Sequence, residues 1–235
     1  MRKFFKRFVS LFLVPFTRWY LRKERKFAYD GITIHVFPGV FHPGFFHSTK
    51  FILSYLKVQP LAGKSFLELG CGSGLISITA AKAGANVTAS DLSLRALENT
   101  KYNANLNQLF IKIVYSDLFD NIDKIPFDWI VINPPYYARK PESEQDLAWY
   151  CGENFEYFRK LFVSLRVHMH LETRVVMVLT KGADVSAIEK IAKENGFELQ
   201  LLKENPVFFD EKDFLFRIRP FTSPQPSVTS PRPSP

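Results

Sequence analysis

Hydrophobic positions along the central part of the chain follow two different periods. Short apolar runs, typical of buried strands, are separated by segments whose apolar residues recur every three to four positions, which is typical of helices. The apolar runs predict strands over Ser65–Leu69, Asn86–Ala89, Phe110–Tyr115, Phe127–Ile132 and Arg174–Thr180. The intervening segments predict helices over Lys50–Lys57, Leu75–Ala83, 94–106, Asn154–His168 and 185–194.

Short polar residues mark the predicted starts of these helices, since a side-chain oxygen can accept a hydrogen bond from the first free backbone amides. We expect Ser48 or Thr49 to cap the first helix and Ser93 to cap the third. In the third helix we expect Leu94 and Leu97 to face the core.

Strands that alternate with helices indicate an α/β doubly wound fold with right-handed crossovers. The last two apolar stretches, Phe197–Leu202 and Val207–Arg219, have no helix between them and are predicted to pair as an antiparallel hairpin. A further strand is predicted where Ile32, Ile34 and Val36 alternate with polar residues. We therefore expect a Rossmann-like, seven-stranded, mostly parallel sheet with a C-terminal antiparallel hairpin. In such sheets ligands bind beyond the carboxyl ends of the strands.

Composition divides the chain into three regions. Residues 1–30 hold nine Lys and Arg against Glu24 and Asp30, whereas residues 31–235 hold 22 basic and 21 acidic residues, so the net charge of +8 lies almost entirely at the N-terminus. Residues 220–235 include six prolines and are predicted to be a disordered Pro/Ser-rich tail. We expect a basic amphipathic arm over 1–30 and a catalytic domain over 31–219.

The apolar run Phe8–Phe16 in the arm is shorter than the roughly 20 residues that a membrane-spanning helix needs. Three uses of the arm remain: peripheral contact with a membrane surface, contact with RNA, and packing against the domain. Cys71 and Cys151 are far apart in the sequence, which favours a reducing, cytoplasmic location over a disulfide framework. The five histidines have no metal-ligand spacing, so no metal site is expected, and no pattern specifies an oligomeric state.

Candidate chemistry begins directly after the first predicted strand, in the segment Glu68–Gly74 (ELGCGSG). Glycines at a strand-to-helix turn let the backbone approach a ligand closely. A carboxylate beside this loop favours a cationic amino-acid group over a diphosphate, so a dehydrogenase is disfavoured. Asp91 ends the next strand, where a carboxylate can accept hydrogen bonds from ribose hydroxyls. Asp117 ends the third strand, where it could meet an adenine amino group.

Asn133-Pro134-Pro135-Tyr136 follows the strand Phe127–Ile132. Together with ELGCGSG, Asp91 and Ser116-Asp117, this NPPY sequence resembles class I S-adenosylmethionine-dependent methyltransferases, in particular the branch that methylates amino nitrogens. That branch includes adenine-N6 and guanine-N2 nucleic-acid enzymes and glutamine-N5 enzymes of release factors. The resemblance implies S-adenosylmethionine as the cofactor. It implies that the cofactor is bound by Glu68, Gly70, Cys71, Gly72, Gly74, Asp91, Leu92, Asp117, Leu118 and Asn133.

An amide or aromatic amino nitrogen is a weak nucleophile because its lone pair is delocalised. The Asn133 side-chain oxygen and the Pro134 carbonyl can accept both of its N–H bonds, which favours a pyramidal nitrogen whose lone pair points at the methyl group. Pro134 and Pro135 stiffen this turn, and Tyr136 can stack on a planar base or amide. We expect no general base, since the proton can leave after transfer. A substrate role is possible for Trp149, Tyr150 and Glu153.

Three functions compete at this point. The first is methylation of an RNA base, with the basic arm as an electrostatic contact. The second is methylation of protein glutamine, which is weakened because the release-factor enzymes usually carry an N-terminal helical domain that an arm of about 30 residues is too short to form. The third is a cofactor-binding module without catalysis, which the intact NPPY and glycine sequences disfavour. The sequence slightly favours the RNA base.

Overall fold

The computed structural model describes residues 22–45, 47–207 and 211–221. Residues 1–21 of the predicted arm and 222–235 of the predicted tail lie outside the described residues. The predicted membrane or RNA contact of the arm and the predicted disorder of the tail therefore concern residues that the structure does not describe. The elements in chain order are β1 (Arg25–Tyr29), β2 (Ile32–Val36), α1 (His47–Leu56), β3 (Ser65–Leu69), α2 (Leu75–Lys82), β4 (Asn86–Asp91), α3 (Leu94–Leu106), β5 (Lys112–Tyr115), β6 (Phe127–Ile132), α4 (Glu156–Leu165), β7 (Met169–Thr180), α5 (Val185–Glu194), β8 (Phe197–Val207) and β9 (Glu211–Pro220). Short 3-10 helices cover Glu144–Ala148 and Arg166–His168.

Seven strands form one sheet in the order β5-β4-β3-β6-β7-β9-β8. The first five strands in this order pair in parallel, and β9 is antiparallel to both β7 and β8. The predicted α/β fold, the seven-stranded sheet and the C-terminal antiparallel hairpin are therefore confirmed. The chain moves outward from β3 to β5 and then returns to β6, so the strand order reverses between the neighbours β3 and β6.

The central strands are buried on both faces, which explains their continuous apolar runs. On one face, Phe66, Trp129 and Val176 pack with the helices α1, α2 and α3 and with β2. On the other face, Leu67 and Ile130 pack with α4 and α5. Because side chains alternate along a strand, successive residues of one run supply both layers of the core.

The strand β1 was not predicted and pairs antiparallel with β2, from Arg25 opposite Val36 to Tyr29 opposite Ile32. Its side chains alternate between half-buried and exposed, so it lacks the apolar run of a core strand. Asp30 and Gly31 connect the two strands with positive φ angles of 48° and 74°. The Asp-Gly pair is a sequence signal for a tight hairpin that could have located this strand.

Several predicted details differ from the structure. The first helix begins at His47, so Ser48 and Thr49 lie inside its first turn and are buried and do not precede it. Leu94 was expected to face the core but is the first residue of α3 and is 63% exposed, whereas Leu97 is buried as expected. Phe110 was placed in the third strand but precedes β5 and is 91% exposed.

Candidate active site

The two sequence motifs follow the two strands between which the order reverses. Leu69, the last residue of β3, is paired with Ile132, the last residue of β6. Gly70 and Asn133 therefore begin neighbouring loops at the same edge of the sheet. A cavity of about 570 Å³ lies at this edge, where the doubly wound fold provides a ligand crevice.

The loop after β3 turns back under the end of β4. The backbone amides of Gly70 and Cys71 both donate to the Ser90 carbonyl, at 2.8 and 2.9 Å. Gly74 precedes α2 with a φ of 80°, and a Cβ at this position would lie 2.8 Å from the Thr100 side chain. Only glycine fits there without displacement, so the sequence requirement at Gly74 is set by packing against α3.

Glu68 projects from β3 into the cavity and is 3% exposed. Its carboxyl group accepts hydrogen bonds from the Ser77 backbone amide at 2.8 Å and from the Ser77 hydroxyl. Burial raises the pKa of Glu68 to about 8, although the two bonds from Ser77 oppose this shift. Glu68 is thus a buried acid that is available to neutralise a cationic group.

Asp91 at the end of β4 is fixed by two backbone amides. Its Oδ2 accepts from the Gly72 amide and its Oδ1 from the Ser93 amide, both at 2.9 Å. These two bonds orient the Asp91 carboxylate at the end of β4, where it lines the cavity. The predicted neighbour Leu92 also lines the cavity.

Asp117 follows β5 and contacts a lysine that sequence reasoning did not identify. Lys160 on α4 lies 2.6 Å from Asp117 Oδ2 and 2.6 Å from Asp120 Oδ2. Burial opposes the charge of Lys160, but these two carboxylates outweigh burial and raise its pKa. Leu118, with a φ of 55°, is buried beside them. The third strand end therefore presents a fixed ion pair and an apolar side chain.

The NPPY segment leaves β6 beside α1. The Asn133 side-chain nitrogen Nδ2 donates to Thr49 Oγ1 at 3.4 Å, and Thr49 is buried. Tyr136 is held by a hydrogen bond with Thr180, and burial raises the pKa of Tyr136 to about 12. Its hydroxyl therefore stays protonated in the neutral pH range. The donation to Thr49 directs the Asn133 amide so that its oxygen is the atom left for a ligand.

The cavity brings together almost all predicted site residues. The predicted residues along its wall are Glu68, Gly70, Cys71, Gly72, Asp91, Leu92, Asp117, Leu118, Asn133, Pro134, Pro135 and Tyr136. Trp149, Tyr150 and Glu153 also line it, whereas Gly74 does not. Cys71 is buried, and burial raises the pKa of its thiol well above the usual range, so it contributes as a neutral side chain.

Sequence reasoning also missed cavity residues, among them Phe41, Tyr157 and Lys160. Phe41 belongs to a loop over the cavity, and its ring centre lies 5.4 Å from that of Trp149. Tyr157 and Lys160 come from α4. Burial raises the pKa of Tyr157, and the carboxylates of Asp91 and Asp117 add to the effect. None of the three belongs to a local motif, because tertiary packing alone brings them to the site.

In the described part of the chain, no group of three or more His, Cys, Asp or Glu side chains has an arrangement that could hold a metal ion. Among the same residues, no helix has the length and apolar character needed to cross a membrane.

This fold and site define an S-adenosylmethionine-dependent methyltransferase. Residues 31–151 match the family described as "Methyltransferase small domain", and the chain belongs to that family. It is 37% identical over 189 residues to a Methanocaldococcus jannaschii protein named provisionally as a protein N5-glutamine methyltransferase, covering 77% of this chain and 93% of the relative. The predicted N-methyltransferase class and its cofactor are thereby confirmed.

Two solved structures share the fold at low sequence identity. One is a T. thermophilus 16S rRNA N2 G1207 methyltransferase in complex with AdoMet and guanosine, with a TM-score of 0.61 and 20% identity, covering 84% of this chain and 50% of that one. The other is the E. cuniculi Mtq2–Trm112 complex responsible for methylation of the translation termination factor eRF1, with a TM-score of 0.60 and 19% identity, covering 78% and 99%. This chain thus spans half of the first structure and nearly all of the second.

Proposed function

We propose that the enzyme transfers a methyl group to the side-chain amide nitrogen of a glutamine in a protein, with a translation termination factor as the acceptor protein. The single structural observation that carries transfer to an amino or amide nitrogen is the orientation of Asn133. Because its Nδ2 donates to Thr49, its Oδ1 is left to accept an N–H bond from such a nitrogen in the cavity, here the glutamine carboxamide. The neighbouring Pro134 carbonyl supplies the second acceptor.

The comparisons support the glutamine acceptor over the RNA base. The argument against glutamine was the lack of room for an N-terminal helical domain. However, the chain matches 93% of the relative named for glutamine-N5 methylation and 99% of the matched chain in the structure of the Mtq2–Trm112 complex. A relative named for glutamine-N5 methylation is therefore almost entirely covered by the part of this chain that matches it.

In the proposed mechanism, S-adenosylmethionine, when bound, supplies an electrophilic sulfonium methyl group. Asn133 Oδ1 and the Pro134 carbonyl hold the two N–H groups of the acceptor amide, which reduces conjugation of the nitrogen lone pair and fixes its direction. The rings of Tyr136 and Trp149 border the cavity, where they would pack against the planar acceptor amide. The nitrogen loses one proton to solvent once it carries the new methyl group, so no side chain needs to act as a base.

A second candidate function is methylation of an RNA base, which the excess of positive charge in residues 1–30 favours. Aromatic rings at the cavity serve a planar base as well as a planar amide. The buried cysteines Cys71 and Cys151 suit the cytoplasm, where either acceptor would be found.

The deciding experiment supplies radiolabelled S-adenosylmethionine to the enzyme with purified termination factor or with total RNA. We expect label in the protein, and acid hydrolysis of that protein should release labelled methylamine, the product expected from a methylated glutamine amide. Label that stays with nucleosides would contradict the glutamine proposal and support the RNA base.

We predict that Asn133→Ala lowers the transfer rate by roughly 100-fold or more, as for loss of one group that binds the transition state. The dissociation constant for S-adenosylmethionine should change by less than about threefold, because the lost contact is made with the acceptor. The matched control is Asn105→Ala, since Asn105 is exposed on α3. A normal transfer rate in Asn133→Ala would exclude the proposed role of the amide.

A further inference from the structure

Two asparagines on α3 make hydrogen bonds to the backbone at one edge of β2, as a neighbouring strand would do. Asn99 Oδ1 accepts from the Phe37 amide at 2.9 Å, and Asn99 Nδ2 donates to the His35 carbonyl at 2.7 Å. Asn103 Oδ1 accepts from the His35 amide at 2.7 Å, and its Nδ2 donates to the same His35 carbonyl at 2.7 Å. Both asparagines are 0% exposed. The opposite edge of β2 pairs with β1.

The spacing of these residues explains why a helix can serve a strand in this way. Four residues of helix advance about 6 Å, and two residues of strand advance about 6.6 Å. Asn99, Asn103 and Asn107 therefore lie opposite alternate residues along β2 and the residue that follows it. The series ends at Asn107, whose Nδ2 donates to the Thr33 carbonyl at 2.9 Å.

The same face of α3 also binds the glycine loop. Asn103 Nδ2 lies 2.9 Å from the Ser73 carbonyl. The Thr100 hydroxyl lies 3.1 Å from the Gly72 carbonyl and 3.3 Å from the Cys71 sulfur. One face of α3 thus hydrogen-bonds to two backbone segments, residues 35–37 and the glycine loop.

The strand β2 leads directly into the loop that covers the cavity. Gly39, Val40 and Phe41 line the cavity a few residues after Phe37. Phe41 lies over the glycine loop, since a Cβ added at Gly72 would be 4.0 Å from the Phe41 Cβ. The bonds of Asn99 at Phe37 therefore determine where this covering loop begins.

We propose that Asn99 and Asn103 are positioning residues for the methyl donor, which hold the glycine loop and the loop 37–41 as one unit around its pocket. Asparagine suits this role because its amide supplies a donor and an acceptor without charge. Loss of Asn99 would leave the Phe37 amide and part of the His35 carbonyl without a partner. The loop 37–41 would then lose its fixed start, and the pocket would no longer be preorganised for the donor.

The test compares Asn99→Ala with Asn107→Ala, which removes the same kind of bond at the end of the series far from the cavity. We expect the dissociation constant for S-adenosylmethionine, measured by calorimetry without acceptor, to rise about tenfold in Asn99→Ala, since preorganisation of the pocket is lost. In Asn107→Ala it should change by less than about twofold, even though a hydrogen bond to β2 is lost there as well. Amide hydrogen exchange of residues 37–41 should accelerate only in Asn99→Ala. Because no acceptor is present, the result is independent of the proposed glutamine specificity.

A second variant keeps the proposal testable if Asn99→Ala does not fold. In Asn99→Asp, a protonated carboxyl restores one donor and one acceptor, and burial raises the pKa of such a group. The ratio of its dissociation constant to that of the wild type at the same pH should therefore fall as the pH is lowered from 8 to 6. Equal weakening of donor binding by the Asn99 and Asn107 variants, or a ratio that does not depend on pH, would overturn the proposal.

Discussion

At the scale of single residues, Glu68 links cofactor binding to pH. Burial raises its pKa to about 8, so the carboxyl group is largely protonated at pH 7 in the protein without ligand. A cation placed in the cavity favours the ionised form, because opposite charges interact strongly where water is excluded. The methionine part of S-adenosylmethionine carries an α-ammonium group. Binding of that group should therefore expel the proton from Glu68.

We predict that the affinity for S-adenosylmethionine rises between pH 6 and 7.5. The ligand-free protein holds the proton below pH 8, and binding releases it, so a higher proton concentration opposes binding by up to about tenfold per pH unit. Calorimetry in two buffers of different ionisation enthalpy should detect release of about one proton near pH 7. Glu68→Gln, which retains an oxygen for Ser77, should remove both effects. The same pH slope in Glu68→Gln would show that another group titrates.

At the scale of elements, the site depends on the packing of the glycine loop against α3. Gly74 has a φ of 80°, and a Cβ there would collide with Thr100. Gly63 offers a matched comparison, because its φ is 73° but no atom lies within 4 Å of the position of an added Cβ. The two positions share a positive φ and differ in the space available for a Cβ.

We predict that Gly63→Ala lowers the free energy of unfolding by roughly 1–2 kcal/mol, the cost of a left-handed conformation for alanine. Gly74→Ala should lower it by roughly 1–3 kcal/mol more, because the added methyl group overpacks the contact with Thr100. Urea unfolding of both variants measures this difference. Equal losses would mean that the loop and α3 separate easily, against the tight contact seen here.

At the scale of the whole molecule, the sequence predicted the parts that rest on local patterns. Apolar runs located the sheet strands because strands buried on both faces are hydrophobic throughout, and the two motifs could be placed because both follow such strands. The covering loop with Phe41, and Tyr157 and Lys160 on α4, could not be predicted, because only tertiary packing brings them to the cavity. The strand β1 was missed because its residues are only half buried, although the Asp30-Gly31 turn signalled a hairpin.

The strand β1 also bears on where the working domain begins. The domain was predicted to start at residue 31, yet β1 covers one edge of β2. Its Phe27 ring centre lies 5.5 Å from that of His42, in the loop that continues from the cavity cover. Burial lowers the pKa of His42, so this contact is with a largely neutral ring in the neutral pH range. The structure thus joins residues 25–29 to the site through β2 and this loop.

Two N-terminal deletions test that connection. Removal of residues 1–21 leaves every described contact of β1 in place, so the dissociation constant for S-adenosylmethionine should change by less than about twofold. Removal of residues 1–30 exposes the outer edge of β2 and the His42 ring, and we expect a fall in melting temperature of roughly 5 °C together with weaker cofactor binding. Thermal unfolding and calorimetry of the two truncated proteins give both quantities.

If the proteins lacking 21 and 30 residues were equally stable and bound the cofactor equally well, β1 would be dispensable and the domain would begin at residue 31 as the sequence suggested. A loss confined to the longer deletion would instead place the start of the catalytic domain at β1, because the hydrogen bonds of β2 and the position of the covering loop would both depend on it.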